Sequence, residues 1–239
     1  MWREENTLSP IWYPFEIYNV TRWLRCHKIL QLWETGILSR AFQVVREFEA
    51  AVGDYTGAPF VVAVNSCTNA LFLSLMFYKQ LHPHIKNIRI PKRTYVSVPM
   101  QIRIAGLKVE FEDREWSGAY QLSPFPVWDS ARRFTSNMYF QTGGMVCTSH
   151  HWNKILGIQQ GGCILHNNYD ADAWLRRARF DGRTEGVSPK EDRFTQLGWH
   201  MYMSPEIAAE GLVRLSHLPK HNPDMPMDDY PDLSENFLV

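Results

Sequence analysis

Lys154 stands in the stretch Ser149-His150-His151-Trp152-Asn153-Lys154 and is followed by Gly161-Gly162. A lysine amine attacks a carbonyl carbon once it has lost its proton, and partial burial near other positive charge lowers its pKa to permit this. Taken alone, the residue reads first as a solvated loop lysine. Upstream, Val64-Asn65-Ser66-Cys67-Thr68-Asn69-Ala70 falls at an expected strand-to-helix junction. Backbone N–H groups at a helix start, beside the Ser66 and Thr68 hydroxyls, suit a phosphate, and the same hydroxyls serve as an ordinary helix cap. Asp129 ends an expected strand in Val127-Trp128-Asp129-Ser130-Ala131-Arg132, and ligands of open α/β sheets gather at the carboxyl ends of strands. A buried carboxylate there needs a cation, which Arg132, Arg133 or the protonated pyridine nitrogen of a cofactor would supply. An amine nucleophile, a phosphate turn and a strand-end carboxylate together outline a site for pyridoxal phosphate. No cluster with metal-ligand spacing accompanies them.

The elements that must position these residues alternate at short intervals, as in an α/β fold with a mostly parallel central sheet flanked by helices. Residues 40–52 carry Phe42, Val45, Phe48 and Val52 at helical spacing and run into Gly53. Phe60 to Val64 is a short apolar run, expected as a buried strand. Thr68 to Gln80 is expected as a helix, with Leu71, Leu75 and Tyr78 on one stripe. Asn87 to Ile90 and Lys108 to Phe111 are expected strands around a helix over 95–105, stopped by Gly106, with Pro99 in the first turn if the helix starts late. Short strands are expected at 127–128, 145–147 and 163–165. Helices are expected at 170–180, with Asp170 as N-cap, and at 205–218, with Ser204 as N-cap and Pro205 at the first position.

With 239 residues the chain can bury a large core without staples, and its 25 Lys plus Arg balance 25 Asp plus Glu. No net field favours nucleic acid or an anionic membrane. Cys26, Cys67, Cys147 and Cys163 show no C-x-x-C pair and no zinc-finger spacing, which fits reduced thiols in the cytoplasm. No apolar run reaches the length of a membrane span. The nine Trp suit either a scattered core or extra aromatic surface at an interface or cleft. The division expected is an N-terminal arm over 1–34, a cofactor-binding α/β domain over 35–218 and a C-terminal tail over 219–239, ordered only if it docks. The arm, with Trp2, Trp12, Tyr13, Phe15, Tyr18 and Trp23, either meets a second copy or wraps its own body.

The order of these pieces resembles the DegT/DnrJ/EryC1/StrS sugar aminotransferases, which share the type I pyridoxal-phosphate fold. The resemblance runs over roughly residues 35–218, beginning with Phe48-Glu49-Ala50-Ala51-Val52 and Tyr55-Thr56-Gly57. Ser66-Cys67-Thr68-Asn69-Ala70-Leu71 is similar to the family's SGTxAL phosphate turn, with Cys67 where Gly is usual. The loop 91–96 resembles the one whose aromatic stacks on the cofactor, which nominates Tyr95. The resemblance implies that Asp129 pairs with the ring nitrogen, that Ser149 holds the phosphate, and that Lys154 forms the Schiff base. Gly161-Gly162 matches the pair that follows. Gly198-Trp199-His200-Met201-Tyr202-Met203 is similar to the segment whose Asn reaches the phosphate of the neighbouring subunit, implying a homodimer with shared active sites.

The chain departs from the family at named places. Arg132 stands where Gln or His is usual near the cofactor's phenolic oxygen, Trp128 replaces a common Glu, and His200 replaces the Asn. The stretch 113–129 is too short for the strand and helix usual there, and after Leu218 the family's C-terminal domain is largely absent. The implied activity is transfer of an amino group from an amino acid donor to a keto sugar nucleotide or related small ketone. The alternatives are another reaction of the same cofactor, such as racemisation or decarboxylation, and a non-catalytic dimer retaining the fold.

Overall fold

The computed structural model describes residues 41–139, 144–226, 230–235 and 237, so the expected arm over 1–34 lies outside the described residues. Contacts divide the chain into Met1–Ala41 and Phe42–Val239, and everything below concerns the second unit. Helix α1 (Ala41–Thr56) outruns the expected end at Gly53 and stops instead at Gly57, whose φ of 78° is the left-handed turn that closes a helix. It buries Val45, Phe48 and Val52, one turn apart on one face. Strand β1 (Phe60–Val64) leads into α2 (Cys67–Leu81), which is buried on most of its faces and runs through the centre of the unit. Strands β2 (Asn87–Pro91) and β3 (Lys108–Glu112) flank α3 (Ser97–Ile104), which starts late enough to seat Pro99 in its first turn.

The segment 113–129 carries only β4 (Tyr120–Gln121) and the start of β5 (Val127–Ser130), with no helix between β3 and β5. Strand β6 (Met145–Ser149), β7 (Gly162–His166), α4 (Tyr169–Ala178) and α5 (Pro205–Ser216) complete the elements. Asn168, not Asp170, caps α4: its side chain accepts from the Ala171 amide at 3.0 Å. Asp170 and Asp172 lie in the first turn, where acidic groups favour the helix dipole without being the cap. Ser204 occupies the N-cap position of α5 with no side-chain cap bond.

The five-stranded sheet has the order β1-β7-β6-β5-β4, beside a two-stranded pair β2-β3. It is mixed, where a mostly parallel sheet was expected. Strands β5 and β6 are parallel, as are β2 and β3, whereas β7 is antiparallel to both β1 and β6, and β4 to β5. Strands β1, β5 and β6 therefore share one direction. The reversals follow from the connections: β4 to β5 and β6 to β7 are joined by loops without the crossover helix that a parallel return requires. Paired bonds between the Arg89 and Ser123 backbones, at 2.7 and 3.1 Å, tie the small pair to the loop after β4.

Alternate side chains of the strands feed two cores on opposite faces of the sheet. Val62, Val64, Cys147 and Ile164 pack with α2, α3 and α4, while Val61, Ala63, Cys163 and Leu165 pack with α1 and α5. A buried ionic network locks α1 and α4 to β1. Glu49 accepts from the Ala63 amide at 2.8 Å and from Arg176 at 2.6 Å, and also pairs with Arg179, which donates to the Ala63 carbonyl at 2.5 Å.

Candidate active site

The carboxyl ends of β1, β2, β5 and β6, and the start of the reversed β7, converge on one pocket of about 340 Å³. Lys154, Asp129, Ser66, Cys67, Thr68, Tyr95, Arg132 and Ser149 all line it. Of the residues nominated from sequence, His200 is the one outside it: exposed, with Nδ1 3.0 Å from an Asp181 carboxylate oxygen. The pocket thus gathers nominated residues that are up to 88 residues apart along the chain, from Ser66 to Lys154 (154 − 66 = 88).

Ser66 has extended backbone before α2, and its Oγ accepts from the Asn69 amide at 3.1 Å. It is a helix cap, and its O–H still has a proton to donate toward the pocket. The Thr68 hydroxyl lies 2.9 Å from that of Ser97. The Cys67 thiol turns to the Cys147 carbonyl at 3.6 Å, and burial pushes its pKa well above the ordinary range, so it stays neutral. Gly162 explains the glycine pair: a Cβ there would come within 2.6 Å of the Cys67 nitrogen, so only Gly lets β7 press against the turn. Gly161, at φ 134°, supplies the preceding bend.

Asp129 is 5% exposed, and its two oxygens accept from the Ala131 amide at 2.9 Å and the Tyr120 hydroxyl at 3.0 Å. Thr94 in turn meets the Tyr120 hydroxyl at 2.5 Å. Burial raises the Asp129 pKa, against the lowering pull of those donors and of Lys154 and Arg132. Neither Arg132 nor Arg133 forms an ion pair with it among the described residues. Arg133 is held by Asp224 at 2.8 and 2.5 Å, and Arg132 donates to the Pro226 carbonyl and to the Tyr230 hydroxyl at 3.4 Å. Lys154 is half-buried, and burial, then Arg132, lower its pKa against the opposing pull of Asp129. The pocket therefore disfavours the charged form of the Lys154 amine, beside a carboxyl that has no ion pair among the described residues.

Those states suit pyridoxal phosphate. An uncharged amine can bond its carbonyl carbon, and a buried carboxylate with only neutral donors can take a protonated ring nitrogen. The hydroxyls of Ser66, Thr68 and Ser149 at the head of α2 suit its phosphate. Thr94, Trp116, Tyr120 and Tyr230 complete the site without having been nominated from sequence. Tyr120 is reached only through its pairing opposite Asp129, in a strand of two residues too short to read as one. Tyr230 lies in a Pro-rich segment with no periodicity to mark it.

The model of the DegT/DnrJ/EryC1/StrS aminotransferase family matches residues 24–124, under half of the chain. A comparison with curated protein sequences returns no match. Among solved structures, the sugar aminotransferase CalS13 from Micromonospora echinospora is 19% identical, with a TM-score of 0.61 over 73% of this chain and 60% of that one. PseC from Helicobacter pylori, an aminotransferase of pseudoaminic acid biosynthesis, is 16% identical, with a TM-score of 0.61 over 74% of this chain and 57% of that one. DesI, solved in the presence of its TDP-sugar product, is 19% identical, with a TM-score of 0.61 over 83% of this chain and 59% of that one. The chain thus spans less than two thirds of the length of these structures. The resemblance read from the motifs is borne out, and the fold is that of the large domain of type I pyridoxal-phosphate aminotransferases.

Proposed function

We propose that this chain is a pyridoxal-phosphate-dependent aminotransferase, joined to its cofactor through Lys154, that moves an amino group from an amino acid to a keto sugar nucleotide or related small ketone. The observation that carries the reading is the sharing of one pocket by a Lys154 amine whose charge is disfavoured and a buried Asp129 that has no ion pair among the described residues. When bound, the cofactor supplies an electron sink for a carbanion at the substrate α carbon. Asp129 holds the proton on the ring nitrogen, and Tyr120 with the Ala131 amide fix the orientation of that carboxylate. Ser66, Thr68 and Ser149 bind the phosphate, and Tyr95 covers one face of the ring. Lys154 would be the base that takes the proton from the substrate α carbon.

Arg132, where the family has Gln or His, lines the same pocket as the lysine and adds to burial in lowering the pKa of its amine. The exposed, outward position of His200 supports a homodimer in which it reaches the partner's phosphate. The free thiols of Cys67, Cys147 and Cys163 fit a cytoplasmic setting, and no helix among the described residues is long and apolar enough to cross a membrane. The test is spectroscopic. Purified protein mixed with pyridoxal phosphate is expected to develop a visible absorbance band that borohydride abolishes, leaving the cofactor on the Lys154 peptide. The band is expected to be missing in Lys154→Ala, and its absence from the wild-type chain overturns the reading.

A further inference from the structure

The segment after α5 docks on the body and delivers one side chain into the pocket. On one side of Tyr230, Asp224 grips Arg133 through two bonds, the Met225 amide donates to the Arg132 carbonyl at 2.9 Å, and Pro226 accepts from Arg132. On the other side, the Asp232 carboxylate lies 2.9 Å from Lys92 Nζ, and the Leu233 amide donates to the Lys92 carbonyl at 3.0 Å. Both anchors fall on the loops that carry site residues: Arg132 follows β5, and Thr94 and Tyr95 follow β2. Tyr230 itself is the hub of the local aromatic cluster. Its ring lies 6.4 Å from Trp116 at 12° between planes and 6.4 Å from Tyr95 at 59°, and the Arg132 guanidinium sits 5.6 Å from its centroid. Leu233, 7% exposed, buries the far end of the segment.

We propose that Tyr230 is a specificity-determining residue, whose ring, held in the pocket by the docked C-terminal segment, limits what reaches Lys154 to carbonyl compounds and amines of about amino-acid size. With Tyr230 in place the cavity of about 340 Å³ is at the lower end for a single ligand site, roughly 300–1,000 Å³. A bound cofactor would take up much of that volume, leaving space within the cavity for a small substrate. The substrate class is thereby narrowed to the small-ketone branch of the proposed function, on which this part of the inference rests. The ring is fixed by stacking and by Arg132, so the restriction comes from a rigid wall set between two anchored loops.

The exclusion is measurable on the cofactor-free full chain. Lys154 is alkylated reductively with cyanoborohydride and either acetaldehyde or 1-naphthaldehyde, and labelling is read peptide by peptide by mass spectrometry, with exposed Lys190 as internal reference. In the wild type the bulky-to-small labelling ratio at Lys154 is expected to fall about tenfold or more below that at Lys190, and Tyr230→Ala to restore it about tenfold. Tyr230→Phe, which keeps the ring, is expected to retain the exclusion. Asp232→Asn, which weakens the Lys92 anchor from outside the pocket, is expected to relax it in part, and it carries the test if Tyr230→Ala does not fold by circular dichroism. A wild-type ratio at Lys154 equal to that at Lys190, or ratios unchanged in both Tyr230→Ala and Asp232→Asn, overturns the inference. Pyridoxal phosphate added in a parallel arm separates the two readings: aldehyde discrimination without cofactor attachment sinks the aminotransferase and leaves the Tyr230 wall standing.

Discussion

Two buried carboxylates, each close to two cationic side chains, end in opposite states. Glu49, behind β1, is saturated: Ala63, Arg176 and Arg179 all donate to it, and Arg179 also meets Glu185 at 2.7 Å. Burial opposes the charge on Arg176 and Arg179, but Glu49 and the other carboxylates more than offset it and raise both pKa values. Asp129, at the pocket, receives only neutral donors, while Arg132 and Arg133 are drawn off by Pro226, Tyr230 and Asp224. Lys154 remains, and burial disfavours its charge. Saturation makes the first cluster a structural clamp. Asp129, without an ion pair among the described residues, makes the second a site that gains most when a ligand supplies a cation.

The contrast can be broken most decisively at Glu49. Glu49→Ala leaves the buried Arg179 and the part-buried Arg176 without their shared partner, and urea denaturation is expected to show a loss of about 3–5 kcal/mol. A loss under about 1 kcal/mol would mean that water or another carboxylate replaces Glu49, and the clamp reading would fail. Next in size is His150, buried between Phe48 and Phe134, with Nδ1 unpartnered and a pKa lowered by burial to about 3. Its folded value lies below the unfolded 6.5, so its stabilising share is present above pH 6.5 and is lost as pH falls toward 3. The difference in urea midpoint between wild type and His150→Leu is therefore expected to change across that window, by up to a few kcal/mol. A constant difference would place His150 outside this linkage.

Asp129→Asn is expected to act in the other direction on the cofactor-free protein. The raised pKa means that the native state favours the protonated carboxyl, so stability falls as pH rises from the ordinary carboxylate range through the raised value. The amide removes that loss, and the thermal midpoint at neutral pH should be equal or higher while attachment of pyridoxal phosphate weakens. A lower midpoint together with unweakened attachment would show Asp129 to be structural, like Glu49. The smallest effect is expected at Lys154→Met. Its lowered pKa costs stability as pH falls below that of a free lysine, so the variant should be marginally more stable at neutral pH, as read by the same melts.

Much of the pocket was legible from residue order, because a turn between a strand and a buried helix, a strand-end carboxylate and a lysine after a strand are local signals. Ser66, Thr68, Asp129, Ser149 and Lys154 carry such signals, and the structure brings them together. Tyr120, Trp116 and Tyr230 carry none: Tyr120 meets Asp129 through a strand pairing, and Trp116 and Tyr230 line the pocket from segments that no periodicity announces. The roles of Arg132 and Arg133 were open for the same reason. Which carboxylate or carbonyl takes a guanidinium depends on where a segment some 90 residues later lies: Asp224 is 91 residues from Arg133. The sheet is less parallel than the mostly parallel one expected, because β4 and β7 run against their neighbours; the apolar content of β7 was clear but its direction was not. Direction is set by the path of the connecting loop.

By itself, then, the amino-acid sequence determined the helices, the strands, the phosphate turn and the family likeness, because these rest on spacing between near neighbours. Tertiary structure alone decided three things. It left Asp129 without an ion pair among the described residues and Glu49 clamped. It reversed β7, bringing Gly161 and Gly162 against the turn at Ser66 and Cys67. It also set Tyr230 into the pocket. Each of these is a competition among distant groups for one partner or one volume, and such competitions are settled only when the chain is packed.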